Sequence, residues 1–171
     1  FKDVAANRWS AGYIGYCVQQ GILAGTGNGN FDPEGELTGL AFAKMMLVAL
    51  GYDAKVANYV GNDWAINVAA DAVNAGIAPK GIVLADAMTR EQAAQMAFQT
   101  LTADMVYYTN KGTTVNTPDG TQVVVGASAP VKVANSKTDD YRTVSADRDE
   151  VQQFCEKYFS DLSVNLSLIH I

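Results

Sequence analysis

Between Trp9 and Leu101 the chain twice runs through the same order of apolar and polar positions. Ile14, Cys17, Val18 and Gly21 recur at i, i+3, i+4 and i+7, and Ala69, Ala72, Val73 and Gly76 occupy the same places 55 positions later. That spacing places each set on one face of a helix. Gly21 and Gly76 then suit the left-handed residue that ends a helix. A second apolar stripe follows, Leu40, Ala43, Leu47 and Leu50, matched by Ala94, Phe98 and Leu101. Thr38 and Thr89 stand where an N-cap is needed, and Thr89-Arg90-Glu91-Gln92 also has capping-box spacing, whereas Ala41 denies it to Thr38. The pattern predicts helix, loop, helix, twice over. One such unit buries too little apolar surface to be stable alone, so the units are expected to pack together.

After Tyr107 the pattern changes to Thr, Val, Gly and Asn. TTVNT, PDG (118–120) and TQVVVG predict two strands around a turn. ASAPVKVANSKTDD reads as loop. Asp147 and Glu150 have capping-box spacing before Val151, Phe154, Cys155, Tyr158 and Phe159, which predicts a short amphipathic helix. The expected fold is mainly α: helix–loop–helix repeats packed as a small bundle, with a C-terminal β-hairpin and a short terminal helix. The expected division is 1–54 and 55–108 for the repeats and 109–171 for a cap or a link to a following region. LSLIHI (166–171) resembles translated adapter sequence and is expected not to be native. Asn165-Leu166-Ser167 matches a glycosylation sequon, a weak signal if the source is bacterial.

The 171 residues carry a net charge of −6, which disfavours nucleic acid, since that binding rests on clustered Lys and Arg. No stretch approaches the roughly 20 apolar residues of a membrane span. The chain opens on Phe1 rather than Met, so its natural N-terminus is expected to lie upstream or to have been processed. Cys17 and Cys155, two cysteines in all, read as small buried hydrophobes. The single histidine, His170, is next to the end of the chain, a poor place for a general base. The carboxylates Asp32, Glu34, Glu36 and Asp63 lie outside any apolar pattern that would raise their pKa. No catalytic set, metal site or cofactor is expected.

The loop GILAGTGNGNFDPEGELTGLAF (21–42) departs from three ligand-binding patterns. Its G-x-G-x-G follows a helix and lacks the last glycine of a dinucleotide fingerprint. It has no Gly-Lys-Ser/Thr for a phosphate loop. As a calcium loop from Asn28 it places Pro33 at the turn glycine and Gly39 at the bidentate ligand. A surface loop anchored by Phe31 accounts for it best.

FKDV (1–4), Trp9, Gly21-Ile22, GNGNFDP and Leu37-Thr38 together resemble an S-layer homology repeat, and Trp64, Gly76-Ile77 and Met88-Thr89-Arg90-Glu91 resemble the same repeat with a loop four residues shorter. The resemblance implies a non-catalytic module outside the cell, in the bacterial cell wall or S-layer. It would anchor a protein by binding secondary cell-wall polysaccharide or a peptidoglycan-linked glycan. A third repeat or other copies are implied as further partners, while no nucleic acid and no membrane are. The residues it assigns to the saccharide are Arg90, Thr89, Trp64, Trp9 and Asn30. A guanidinium holds a carboxylate through two hydrogen bonds, and an indole offers a face to a sugar ring. The structural alternatives are a solvated Arg90 and, expected first for both tryptophans, packing between helices. Copy one has Gly39 in place of the arginine, which favours the other reading, a structural or assembly module without saccharide binding.

Overall fold

The computed structural model describes residues 1–116, 122–134 and 150–159. Within them the first hundred residues form four helices: α1 (Ala11–Gln19), α2 (Gly39–Leu50), α3 (Trp64–Asn74) and α4 (Arg90–Leu101). The local signals in the sequence set their ends. Thr38 and Thr89 are N-caps in extended conformation, accepting from the N–H of Ala41 and Gln92. Thr89 and Gln92 form the full capping box, which α2 lacks. After α1 and α3 the chain turns at Gly21 and Gly76, both with φ of 73°. Side chains other than Gly, Asn and Asp rarely adopt this backbone.

The core lies between the units rather than inside either one. α2 packs against both α3 and α4. Ala43, Leu47 and Leu50 of α2 join Val68 and Ala72 of α3, Met96 of α4, and Tyr52, Tyr59 and Ile77 in one buried cluster. The one buried side chain of α1, Ile14, lies outside that cluster. The buried face of α3 differs from the expected one. Val68 and Ala72 are buried while Val73 is largely exposed, because α3 turns toward α2 of the other unit.

The last third builds on the end of this core. β1 (Val106–Tyr107) pairs antiparallel with β4 (Val131–Lys132), and β2 (Thr113–Asn116) with β3 (Gln122–Val125). The β2–β3 hairpin is the expected one. β4 corrects the loop reading of its segment: a two-residue strand leaves no periodicity and exists only through its distant partner. The terminal helix α5 is Phe154–Tyr158, starting later than expected. Gln153 and Glu156 form its capping box, while Val151 bridges Ala134 and the Gln152 carbonyl accepts from the Met105 N–H. Asp147, the 118–120 turn, Asn165 and LSLIHI lie outside the described residues. Cys155 is buried as expected, Cys17 is half-buried, and no disulfide joins them.

Candidate functional site

The two inter-helix loops meet at the N-terminus of α2. The first N–H groups of a helix need partners from outside it. Here the Gly39 N–H donates to the Asp86 carbonyl at 3.1 Å and the Leu40 N–H to the Leu84 carbonyl at 2.6 Å. The Met88 N–H returns to the Leu37 carbonyl at 2.9 Å, and Thr38 bridges Ala87. A Cβ on Gly39 would lie 2.9 Å from both Cα and the carbonyl oxygen of Leu84. The second unit's loop therefore fills the place where an arginine at position 39 would project.

The N-terminus of α4 differs. Thr89 and Arg90 are exposed, and among the described residues no backbone segment caps Arg90 and Glu91 as 84–88 caps α2. The capping box fixes the local backbone through 2.8 Å and 3.2 Å hydrogen bonds. Arg90 thus extends from a well-defined helix start whose dipole favours an anion, although Glu91 in the same turn opposes it.

The other expected residues are dispersed. Trp64 opens α3, half-buried against the core cluster, with the Lys44 ammonium 5.7 Å from its ring centroid. That position agrees with packing as its main role. Trp9 does not: it is 80% exposed, so the expectation that it packs between helices is overturned. Its ring lies beside that of Tyr13, centroids 6.4 Å apart. Tyr13 is 70% and Tyr16 63% exposed, so the start of α1 presents an aromatic stripe. Their spacing from Trp9, i+4 and i+7, makes this stripe readable in the sequence. Asn30 lies in a tight turn, its N–H donating to the Gly27 carbonyl and its carbonyl accepting from the Thr26 N–H, both at 2.9 Å. Among the described residues no hydrogen bond, ion pair or ring contact joins Trp9, Trp64 or Asn30 to Arg90.

The glycine-rich loop is closed from the N-terminus of the chain. The Asp3 carboxylate accepts from the Asp32 N–H at 2.6 Å and the Phe31 N–H at 2.9 Å, and Phe1 rests on Phe31 at 5.2 Å. Desolvation pushes the Asp3 pKa up, but these backbone donors outweigh it and hold the carboxyl below its ordinary value. These two backbone N–H groups of the loop are thus engaged within the protein. Among the described residues no group of three or more His, Cys, Asp or Glu could hold a metal.

A half-buried polar cluster beside Trp64 left no signal in the sequence. The Tyr59 hydroxyl donates to Asp71 at 2.8 Å, and Lys44 donates to the Tyr59 carbonyl at 2.7 Å. Burial, reinforced by the Asp71 carboxylate, pushes the Tyr59 phenol well above its ordinary pKa. Tyr52 is pushed up to about 12, by burial first and then by Asp71.

Residues 1–43 match the family model described as the S-layer homology domain. The chain is 30% identical over 139 residues to a cell surface protein of Thermoanaerobacter kivui, covering 80% of this chain and 17% of the relative. It is 41% identical over 56 residues to an S-layer protein of Bacillus licheniformis and to S-layer protein EA1 of Bacillus anthracis, covering 33% of this chain and 6% of each. The chain therefore spans less than a fifth of the length of these curated relatives. No solved structure matches it.

Proposed function

Because residues 1–43 carry an S-layer homology domain, we propose that this chain is a non-catalytic cell-surface module that attaches a larger protein to the bacterial wall by binding secondary cell-wall polysaccharide. The relatives are themselves surface and S-layer proteins. Residues 55–108 act as a second repeat, and 109–171 as a cap or a link to a following region.

The observation that carries this reading is the contrast between the two helix starts. At α2 the segment 84–88 occupies the helix start and excludes a side chain at Gly39. At α4 the same place holds an exposed Arg90, suited to a saccharide carboxylate by two parallel hydrogen bonds. Thr89 positions that arginine. The half-buried Trp64, the exposed Trp9 and Asn30 belong to the same reading as sugar-facing groups.

The test is sedimentation with purified wall. The chain is expected to pellet with polysaccharide-bearing wall and to stay in solution with wall stripped of it. Arg90→Ala is expected to weaken binding about tenfold or more, from the roughly 1.5–3 kcal/mol of a charge-assisted hydrogen bond. Equal pelleting with both walls would overturn the proposal. The second reading, a structural role without saccharide, draws on Gly39 and applies most directly to the first unit.

A further inference from the structure

Asparagine followed by glycine occurs once in the chain, at Asn28-Gly29, and the fold puts the pair at the tip of a two-residue turn. The Asn30 N–H closes the turn on the Gly27 carbonyl, and both central residues stand at positive φ, Asn28 at 53° and Gly29 at 80°. Positive φ at both places is what a type I′ turn requires. Both residues are exposed. An asparagine is chemically labile because the backbone nitrogen of the next residue can attack its carboxamide. A side chain on that next residue hinders the approach, and a hydrogen bond on its N–H holds the nitrogen back. Gly29 has neither protection: among the described residues nothing accepts from its N–H. Asn30 has both, since Phe31 follows it and donates its N–H to Asp3 at 2.9 Å. Lys2 widens the difference. A Cβ on Gly29 would lie 3.7 Å from Lys2 Nζ, and a nearby positive charge favours loss of the amide proton.

We propose that Asn28 is a site of spontaneous deamidation, and that the change releases the strap which the first residues of the chain lay across the glycine-rich loop. The Gly29 nitrogen forms a bond to Asn28 Cγ, the Cγ–Nδ2 bond breaks, and ammonia leaves with the proton that Gly29 gives up. Water then opens the resulting succinimide. Addition at Cγ breaks the new bond and leaves aspartate in a normal backbone. Addition at the main-chain carbonyl carbon breaks the original peptide bond and leaves isoaspartate, with the chain now running through the side chain. Nothing is oxidised or reduced, and water is the only co-reactant. Isoaspartate lengthens the main chain by one carbon inside a turn that has only two residues to absorb it. The Asn30 N–H to the Gly27 carbonyl, the Thr26 N–H to the Asn30 carbonyl and the Lys2 N–H to the Gly29 carbonyl are all 2.9 Å at the unmodified length. The hold of Asp3 on Phe31 and Asp32, and the packing of Phe1 on Phe31, depend on the same register. This is chemistry of the loop itself and stands whether or not the chain binds wall.

Ageing the 171-residue chain in mildly alkaline buffer at body temperature tests this, read by mass spectrometry of the tryptic peptide 9–44, which holds both asparagines. The peptide should gain one mass unit, fragmentation should place the gain at Asn28 and not at Asn30, and an isoaspartyl methyltransferase should label it. Reading peptide by peptide keeps Asp119-Gly120, which can isomerise without a change of mass, out of the count. Asn28→Gly suits the same turn and should abolish both the gain and the label. In the isoaspartyl form, separated by chromatography, amide hydrogen exchange at Phe31 and Asp32 should run severalfold faster than in the parent, while the amides of the α2–α3 core keep their protection. No gain at Asn28, an equal gain at Asn30, or a label on this peptide that persists in Asn28→Gly overturns the site. Unchanged exchange at Phe31 and Asp32 overturns the release of the strap.

Discussion

Tyr13 and Val68 hold the same place in the two helix–loop–helix units, yet Tyr13 is largely exposed while Val68 is completely buried. Trp9 and Trp64 differ in the same sense, one out in solvent and the other resting on the core cluster. The helices are alike in their ends: Gly21 and Gly76 turn with the same φ, and Thr38 and Thr89 cap the helices that follow. The difference arises from the neighbour. α3 has α2 of the preceding unit to pack on, while among the described residues nothing comparable covers the Trp9–Tyr13 face. In a repeat architecture the apolar face of one unit is completed by the next, so identical patterns bury different areas according to position in the array.

The largest expected effect comes from placing a charge at both members of the pair. Val68→Asp puts a carboxylate into the cluster formed by Leu47, Leu50, Tyr59 and Met96. An unpaired buried charge belongs to the few mechanisms that cost more than about 4 kcal/mol, so this variant is expected to be unfolded at room temperature. Tyr13→Asp, at an exposed position, is expected to stay within about 0.5 kcal/mol of the parent. Urea titration followed by circular dichroism measures both. Similar losses at the two sites would mean that the Tyr13 face is covered in solution.

A smaller effect is expected at the loop junction, the other place where the units differ. Gly39→Arg gives copy one the side chain that copy two has as Arg90, but Leu84 occupies the space. Overpacking costs about 1–3 kcal/mol, and displacing 84–88 also breaks hydrogen bonds worth about 1 kcal/mol each. A loss of about 3 kcal/mol in urea, with no gain in wall binding, is expected. Tighter wall binding at unchanged stability would show that the segment yields to a side chain.

How much of this was legible in the sequence follows from the range of each interaction. The caps at Thr38 and Thr89 and the turns at Gly21 and Gly76 depend on residues within a few positions, so these helix boundaries could be read from spacing alone. The burial of Val68 instead of Val73, the pairing of Val131–Lys132 with Val106–Tyr107 and the approach of Leu84 to Gly39 all join distant segments, and no local pattern records them. At the candidate site the exposure of Arg90 follows from its place just inside a capped helix. The links from Tyr59 to Asp71 and to Lys44 span 12 and 15 positions and left no trace.

That polar cluster provides the mildest test, because at neutral pH it is intact and only strong alkali reaches it. Tyr52 and Tyr59 belong to the buried joint between α2 and α3, which the α1 face lacks. Both phenols have folded-state pKa values raised above the ordinary 10.0, with burial the leading cause, and Tyr52 reaches about 12. A raised phenol pKa means that the folded state keeps its proton after the unfolded chain has lost it. The stability is therefore complete below pH 10 and falls as pH rises toward 12. For Tyr52 the shift corresponds to roughly 2–3 kcal/mol over that interval, at about 1.4 kcal/mol per unit. Urea midpoints measured between pH 8 and pH 12 should be level at first and then drop. Tyr52→Phe should flatten the decline, since one of the phenols that drives it is gone. If the decline keeps the same slope in that variant, Tyr52 is not buried at the joint, and the contrast between the two units weakens.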